Sequence, residues 1–255
     1  MPRIMPRLAS VVSWLDRTLR TREVADYSGA WNGLQVENSG AVARVGAAVD
    51  ACEAVLDEAC ARGVTLLLVH HGLFWGGVQP VTGAGYRKMR TALAHDLAIY
   101  SSHLPLDLHP TLGNNALLAR ALGFKKCAPF FLSKGQPIGL QTRANLSLAE
   151  LSRRLERVLG SAPHLAAGGP AKTARIGLCT GGAGGEVAQA AAEGVDTFIT
   201  GEGPHHSYTL AEELGVNLFY GGHYATETFG VKALAAAVAK KFRVPWEFID
   251  HPTGL

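Results

Sequence analysis

Gly63-Val64-Thr65-Leu66-Leu67-Leu68-Val69-His70-His71-Gly72 is the stretch on which the reading of this chain turns. It is a short apolar run with β-branched residues near both ends, bounded by glycines, which reads as a β-strand. A continuous apolar run, rather than an alternating one, fits a strand covered on both faces, as in a parallel α/β sheet. Ligands in open α/β sheets collect at the carboxyl ends of the strands, where His70 and His71 stand. Adjacent residues on an extended strand point in opposite directions, so the pair is poorly placed to chelate one small ion but could serve two. Taken alone, the pair reads equally well as one core histidine beside one solvent-facing neighbour.

Working outward, Arg44 to Val49 reads as a strand and Cys52 to Arg62 as a helix, so the His-bearing strand closes a βαβ unit. Upstream, Leu8, Val11, Val12, Leu15 and Leu19 recur at helical spacing. Trp31-Asn32-Gly33 reads as a structural turn before a short strand. Downstream come an apolar loop from Leu73 to Gly77, a helix from Tyr86 to Leu97 and a strand from Ala98 to Ser101. In His103-Leu104-Pro105-Leu106-Asp107-Leu108-His109-Pro110, two prolines argue for a strand-end loop rather than a helix. Asn114 to Leu122 reads as a helix, and Phe124 to Gly139 as a loop separating two lobes, 1–125 and 126–255. Ser147-Leu148-Ala149-Glu150 is a capping box that opens a helix, which Gly160 stops. Later strands are expected at 174–179, 196–200, 216–220 and 246–249, with helices from 205 to 214 and after Gly222. Gly181 to Gly185 is a glycine-rich strand-to-helix turn. Such turns can cradle phosphate, but this one lacks the Gly-Lys-Ser/Thr ending, and a plain tight turn is the stronger reading.

The two halves resemble each other. Setting Tyr100 on Tyr220 places His103 opposite His223 and Asp107 opposite Glu227, a His-x-x-x-carboxylate pattern after a strand in both copies. A duplication would give two similar α/β lobes with helices on mainly parallel or mixed sheets, and a metal cleft between them. His223 and Glu227, four apart at a helix start, share one helix face. With His70, His71 and Asp107 they offer three imidazoles and two carboxylates, a thiolate-free donor set suited to zinc, iron or manganese. Five donors exceed the needs of one catalytic ion and could hold two divalent transition-metal ions per chain.

Val69-His70-His71-Gly72, His103-Leu104-Pro105-Leu106-Asp107 with Gly113-Asn114-Asn115, Thr200-Gly201-Glu202 and Gly222-His223-Tyr224-Ala225-Thr226-Glu227 together resemble the dinuclear-metal family called GTP cyclohydrolase 1 type 2-like, or NIF-three-like. The resemblance runs along essentially the whole chain. It implies that His70, His71, Asp107, His223 and Glu227 are the metal ligands, with Glu227 bridging. It also implies a toroidal homohexamer, and hydrolytic attack by metal-bound hydroxide on a nucleotide or phosphorylated substrate. His103 is then left as a proton-handling residue beside the metals and Glu202 as a catalytic base. The alternative is a non-catalytic metal-handling or regulatory ring. Members of the family commonly carry a second His where this chain has Tyr224.

Composition narrows the partners. A net charge of +3 over 255 residues, without basic runs interleaved with aromatics, argues against nucleic acid. Cys52, Cys60, Cys127 and Cys179 lack CxxC spacing, and Met1 to Arg7 lacks the apolar core of a leader, so reduced thiols in a cytoplasmic protein are expected. No apolar stretch is long enough to span a bilayer.

Overall fold

The β3 strand, Leu66–His71, is buried from Leu66 through His70. Each of its leucines removes a whole side chain from water, worth about 1.5–3 kcal/mol apiece. The computed structural model describes residues 5–255. Residues 1–4, the opening of the stretch read as lacking a leader, lie outside the described residues. The chain divides into two α/β units, one of residues up to His109 with Gly230–His251, the other of Pro110–Phe229 with Pro252–Leu255. The cut expected after residue 125 therefore falls inside the second unit. There Leu118, Leu122 and Phe124 share a core with Leu151, Leu155 and Ile199.

In the first unit, α1 (Leu8–Leu19) buries Leu8, Val11, Leu15 and Leu19, the face its spacing predicts. The strands β1 (Gly33–Val36), β2 (Val45–Asp50), β3, β4 (Ala98–Ser101) and β11 (Trp246–Phe248) form one sheet in the order β1-β4-β3-β2-β11. From β4 to β11 every pair is parallel; β1 is antiparallel to β4. Helices α2 (Glu53–Ala61) and α3 (Gly83–Ala94) join the central strands.

The stretch after β4 departs from expectation. Leu104–Asp107 is a one-turn helix, α4, in which the Asp107 amide donates to the His103 carbonyl at 3.1 Å and Leu108 to Leu104 at 2.9 Å. Pro105 sits in its first turn, where a missing N–H removes no intrahelical bond. The proline that argued against a helix is thus in the position a helix tolerates.

In the second unit, α5 (Asn114–Ala121) leads to a hairpin of β5 (Ala128–Ser133) and β6 (Gln136–Arg143), where a loop was expected. Its two-residue turn, Lys134-Gly135, has φ of 49° and 78°, the left-handed pair that matches strand twist. Helix α6 (Leu148–Leu159) begins at Ser147, whose hydroxyl accepts from the Glu150 amide at 3.2 Å, and ends at Gly160 with φ 86°. Then come β7 (His164–Ala167), β8 (Arg175–Leu178), a 3-10 turn at Ala183–Glu186, α7 (Val187–Ala192), β9 (Thr197–Thr200), α8 (His206–Leu214) and β10 (Asn217–Tyr220). The sheet order is β5-β6-β8-β9-β10-β7. The last helix, α9 (His223–Phe242), starts in the second unit and continues into the first.

The expected repeat is visible in these orders. β1-β4-β3-β2 and β7-β10-β9-β8 have the same plan: three parallel strands wound through two helical connections, with the preceding strand laid antiparallel against the third. In both units the third parallel strand runs into a helical turn bearing carboxylate four residues after histidine. No described helix is long and apolar enough to cross a membrane.

Candidate metal centre

Each unit brings its own set of donors to the carboxyl ends of its parallel strands. In the first, His70 ends the buried part of β3, and β4 continues beside it. The Ser102 amide donates to the Val69 carbonyl at 2.9 Å, and the Ser101 hydroxyl donates to the His70 carbonyl at 3.1 Å. That registration carries the Ser102 carbonyl to 2.9 Å from His70 Nδ1. A carbonyl only accepts, so Nδ1 carries the proton and Nε2 is left with the lone pair. The same logic applies to its neighbours: His71 Nδ1 is 2.9 Å from Asp50 Oδ1, and His103 Nδ1 is 2.9 Å from Asp26 Oδ1. Donor atoms of His70, His71 and His103 lie within 4.8 Å of one another. Strand alternation does not separate His70 from His71 here, for their ring centroids are 4.9 Å apart.

Asp107, 8% exposed, is brought to this cluster by the α4 turn, with Oδ2 3.4 Å from His70 Nε2. Two ligands of one tetrahedral ion, each about 2.0–2.1 Å from it, stand about 3.3 Å apart. The His70–Asp107 spacing therefore fits a shared cation.

The Asp26 carboxylate is the hub of the loop that holds His103. Its oxygens accept from His103 Nδ1, the Tyr27 amide at 2.7 Å, Asn32 Nδ2 at 2.8 Å and the Leu104 amide at 2.9 Å. Burial alone would raise its pKa, but the His103 bond and charge, with Asn32 and the Tyr27 amide, bring it below the usual carboxylate value. Asn32 also accepts from the His103 amide at 2.7 Å, so the turn read as structural does position a site residue.

In the second unit, His223 and Glu227 occupy successive turns at the start of α9, as their spacing requires, with Nε2 and Oε2 3.1 Å apart. This again matches one edge of a metal tetrahedron. His223 Nδ1 is 2.8 Å from Glu202 Oε1, which stands just after β9. Burial disfavours the imidazolium, but hydrogen bonds and charges from Glu227 and Glu202 outweigh it and raise the pKa to about 9. Glu202, expected as a base, thus has one oxygen engaged with the His223 ring, while its side chain is 41% exposed.

The glycines around His223 are there because backbone comes close. A Cβ on Gly201 would stand 2.7 Å from both the Gly181 carbonyl oxygen and His223 Cα. Gly181, at φ 76°, has the Glu227 carboxylate where its Cβ would be. The Gly181 to Gly185 turn spends three of its five amides internally: Gly181 on Thr226 Oγ1, Ala183 on Thr200 Oγ1 and Gly184 on the Glu202 carbonyl. Those three are not available to a phosphate, which favours the plain tight turn. Asn115 fastens the same turn, accepting from the Thr180 amide at 2.9 Å and donating to the Ile138 carbonyl at 2.8 Å. Tyr224 is 7% exposed, its amide donating to the Leu255 carbonyl at 3.0 Å.

Four imidazoles thus have Nδ1 committed to an acceptor, which makes Nε2 the nitrogen each would give a metal, His223 after losing the proton it shares there with Glu227. This is how metal-ligating histidines are usually held, because the outer acceptor fixes tautomer and ring orientation. Asp26, Asp50 and Ser102 went unread in the sequence because they lie between 21 and 77 residues from the rings they orient. Glu202 was read, for another task.

Comparison with known proteins follows the same direction. The profile of the family Duf34/NIF3 (NGG1p interacting factor 3) matches residues 6–253. The GTP cyclohydrolase 1 type 2 homolog of Halobacterium salinarum is 42% identical over 254 residues, covering 97% of this chain and 99% of its own. That of Deinococcus radiodurans is 41% identical over 247 residues, covering 96% and 93%. Among solved structures, TTHA1606 from Thermus thermophilus matches with a TM-score of 0.89 at 39% identity, over 98% of this chain and 100% of its own. Reduced HcgD from Methanocaldococcus jannaschii shares the fold, with a TM-score of 0.85 at 23% identity over 97% of this chain and 99% of its own.

Proposed function

The chain belongs to the Duf34/NIF3 family, and from that premise we propose that it is a metal-dependent hydrolase acting on a nucleotide or another phosphorylated substrate. Its ligands are His70, His71 and Asp107 of the first unit and His223 and Glu227 of the second. The donor count allows up to two divalent transition-metal ions per chain, and nitrogen with carboxylate oxygen suits zinc, iron or manganese. The observation that carries this reading is the shared anchoring of the four imidazoles, each with Nδ1 held by an acceptor, which leaves Nε2 as the nitrogen for a metal or a proton. Ions so bound would supply Lewis acidity and a water of lowered pKa. The chain's own residues do the rest. His103, backed by Asp26, moves a proton at Nε2. Glu202 steadies the His223 ring through Oε1 and takes a proton at its other oxygen.

The relatives are named GTP cyclohydrolase 1 type 2 homolog, and on that kinship this chain is proposed to act hydrolytically on a guanine nucleotide or a compound of that kind. The ring-shaped homohexamer is proposed on the same kinship, in a reducing cytoplasm that suits the four free thiols. Light scattering should then give the mass of six chains.

Elemental analysis after purification without chelators is the first test, and a consistent maximum of one ion per chain would refute the dinuclear reading. A nucleotide and phosphoester screen follows. Turnover that disappears on metal stripping and returns with manganese, zinc or iron supports the hydrolase. A fully loaded protein that turns over nothing supports the non-catalytic metal-handling ring instead.

A further inference from the structure

Beside the first donor set stand aromatic rings that the metal reading does not use. Trp75, in the loop after β3, has its ring centroid 4.6 Å from His103 and 5.0 Å from His71. Tyr27 lies 6.3 Å from Trp75 and 6.0 Å from His103. Despite these contacts, Tyr27 is 51% and Trp75 42% exposed. An indole and a phenol at 63° to each other make the two sides of a corner, with an imidazole at its foot. Large apolar side chains left this open beside polar, oriented groups are the usual composition of a binding seat.

The corner is also held in place. Gly29 lies so close to the Trp75 carbonyl that a Cβ could not fit between them. Gln35 receives the Leu73 amide at 2.7 Å and donates to the Trp31 carbonyl at 3.0 Å, tying the Trp75 loop to the Tyr27 loop. Trp31 itself is held at φ 44°, a left-handed conformation that a bulky residue adopts only under constraint. The Tyr27 amide is fixed by the same Asp26 oxygen that orients His103.

We infer that Tyr27 and Trp75 form the seat for a planar, uncharged or anionic heteroaromatic ring, stacked on the indole with its polar edge toward His103. Two aromatic sides at an angle could instead cage a cation. The carboxylate behind them has no oxygen to spare for a caged cation, however: the Asp26 side chain is 6% exposed and already accepts four hydrogen bonds. The inference deepens the proposed function by naming what part of a substrate is gripped, and it rests on that reading only for the ring's place beside the metal ligands.

The test is calorimetric titration of the metal-loaded protein, repeated after chelation, with guanosine, cytidine and nicotinamide as probes. Tetramethylammonium and cyclohexanol serve as cationic and apolar non-aromatic controls. At least one heteroaromatic probe is expected to bind saturably. Losing one stacking partner, in Trp75→Leu or Tyr27→Leu, should weaken it about 5- to 150-fold. Trp246→Leu, an exposed indole on β11, should leave it unchanged. Circular dichroism and metal content of the variants should match the parent. No saturable binding by any of the three rings would overturn the inference, as would undiminished binding by folded Trp75→Leu and Tyr27→Leu. Tighter binding of tetramethylammonium than of any ring would overturn it in favour of a cation cage. Ring binding by a chain that takes up no manganese, zinc or iron when these are supplied would sink the metal reading and leave the seat standing.

Discussion

Gly201→Ala is the sharpest test of how the second half-site is assembled. The added methyl would lie 2.7 Å from the Gly181 carbonyl oxygen, 2.7 Å from His223 Cα and 2.8 Å from Thr226 Oγ1. Two of those atoms are backbone, and both belong to segments already joined to Gly201 by hydrogen bonds. Its amide donates to the Gly181 carbonyl and its carbonyl accepts from Gly222, each at 2.8 Å. Ordinary carbon contacts begin near 3.4 Å, so the first turn of α9 or the Gly181 turn must retreat by roughly half an ångström or more. Overpacking of this kind costs about 1–3 kcal/mol. For a chain of this length that is a fall in melting temperature of about 2–12 °C. Because the part that moves carries His223 and Glu227, metal affinity should fall by at least about tenfold, as sites loosened by such a shift do. Gly85→Ala is the matched control. A Cβ there meets nothing within 4 Å on α3, so the same methyl should stabilise slightly, by about 0.4–1 kcal/mol. Scanning calorimetry and competition with a chromophoric chelator read both effects. If Gly201→Ala melts with the parent and keeps its metal, the close approach of β9 to α9 does not constrain this site, and the argument from those distances fails.

Other outcomes follow from the same geometry. Glu202→Ala should weaken metal binding about 10- to 100-fold by freeing the His223 ring, while Glu202→Gln, which keeps an acceptor, should retain most of it; equal losses in the two would contradict an orienting role. Asp107→Ala should emerge metal-poor, and His103→Ala should keep most of its metal while losing activity; elemental analysis of folded protein showing the two equally depleted would make His103 a ligand. Glu247, pushed up by burial but held below the usual carboxylate value by Arg62 and Arg44, pairs with both at 3.0 Å. Its depressed folded pKa means its contribution is present above the unfolded value of about 4.3 and is lost as pH falls below it. Glu247→Gln should therefore cost no more than about 1 kcal/mol at pH 7, and urea melts of the two proteins should draw together as the pH falls below the unfolded value and through the folded one.

Much of the candidate site's geometry could be read in the chain because its pieces are local. His70-His71 closes an apolar run, His223 and Glu227 share a helix face, and the repeat aligns Asp107 with Glu227. What could not be read was set by tertiary partners. Pro105 looked like a helix breaker until its place in a first turn was known. The β5–β6 hairpin escaped because Phe131, at φ 65°, interrupts the strand pattern and Lys134-Gly135 is a weak turn signal. The four-residue β7 draws its definition from β10, with which it pairs from Tyr220–His164 to Asn217–Ala167. Asp26 and Asp50 had no signature, since a carboxylate that orients a distant imidazole leaves no spacing to find.

The interruption of the first unit by the second fixes an order of events during synthesis. β11, the strand that completes the first sheet beside β2, is made after every other strand of both sheets. Until it emerges, β2 presents an open edge to its surroundings, and such edges invite pairing with other chains. The second unit, by contrast, has all six of its strands by Tyr220 and can close its sheet while the first still waits. A nascent chain stalled between α9 and β11 would thus carry the second unit with all its strands paired and the first with a bare, adhesive margin.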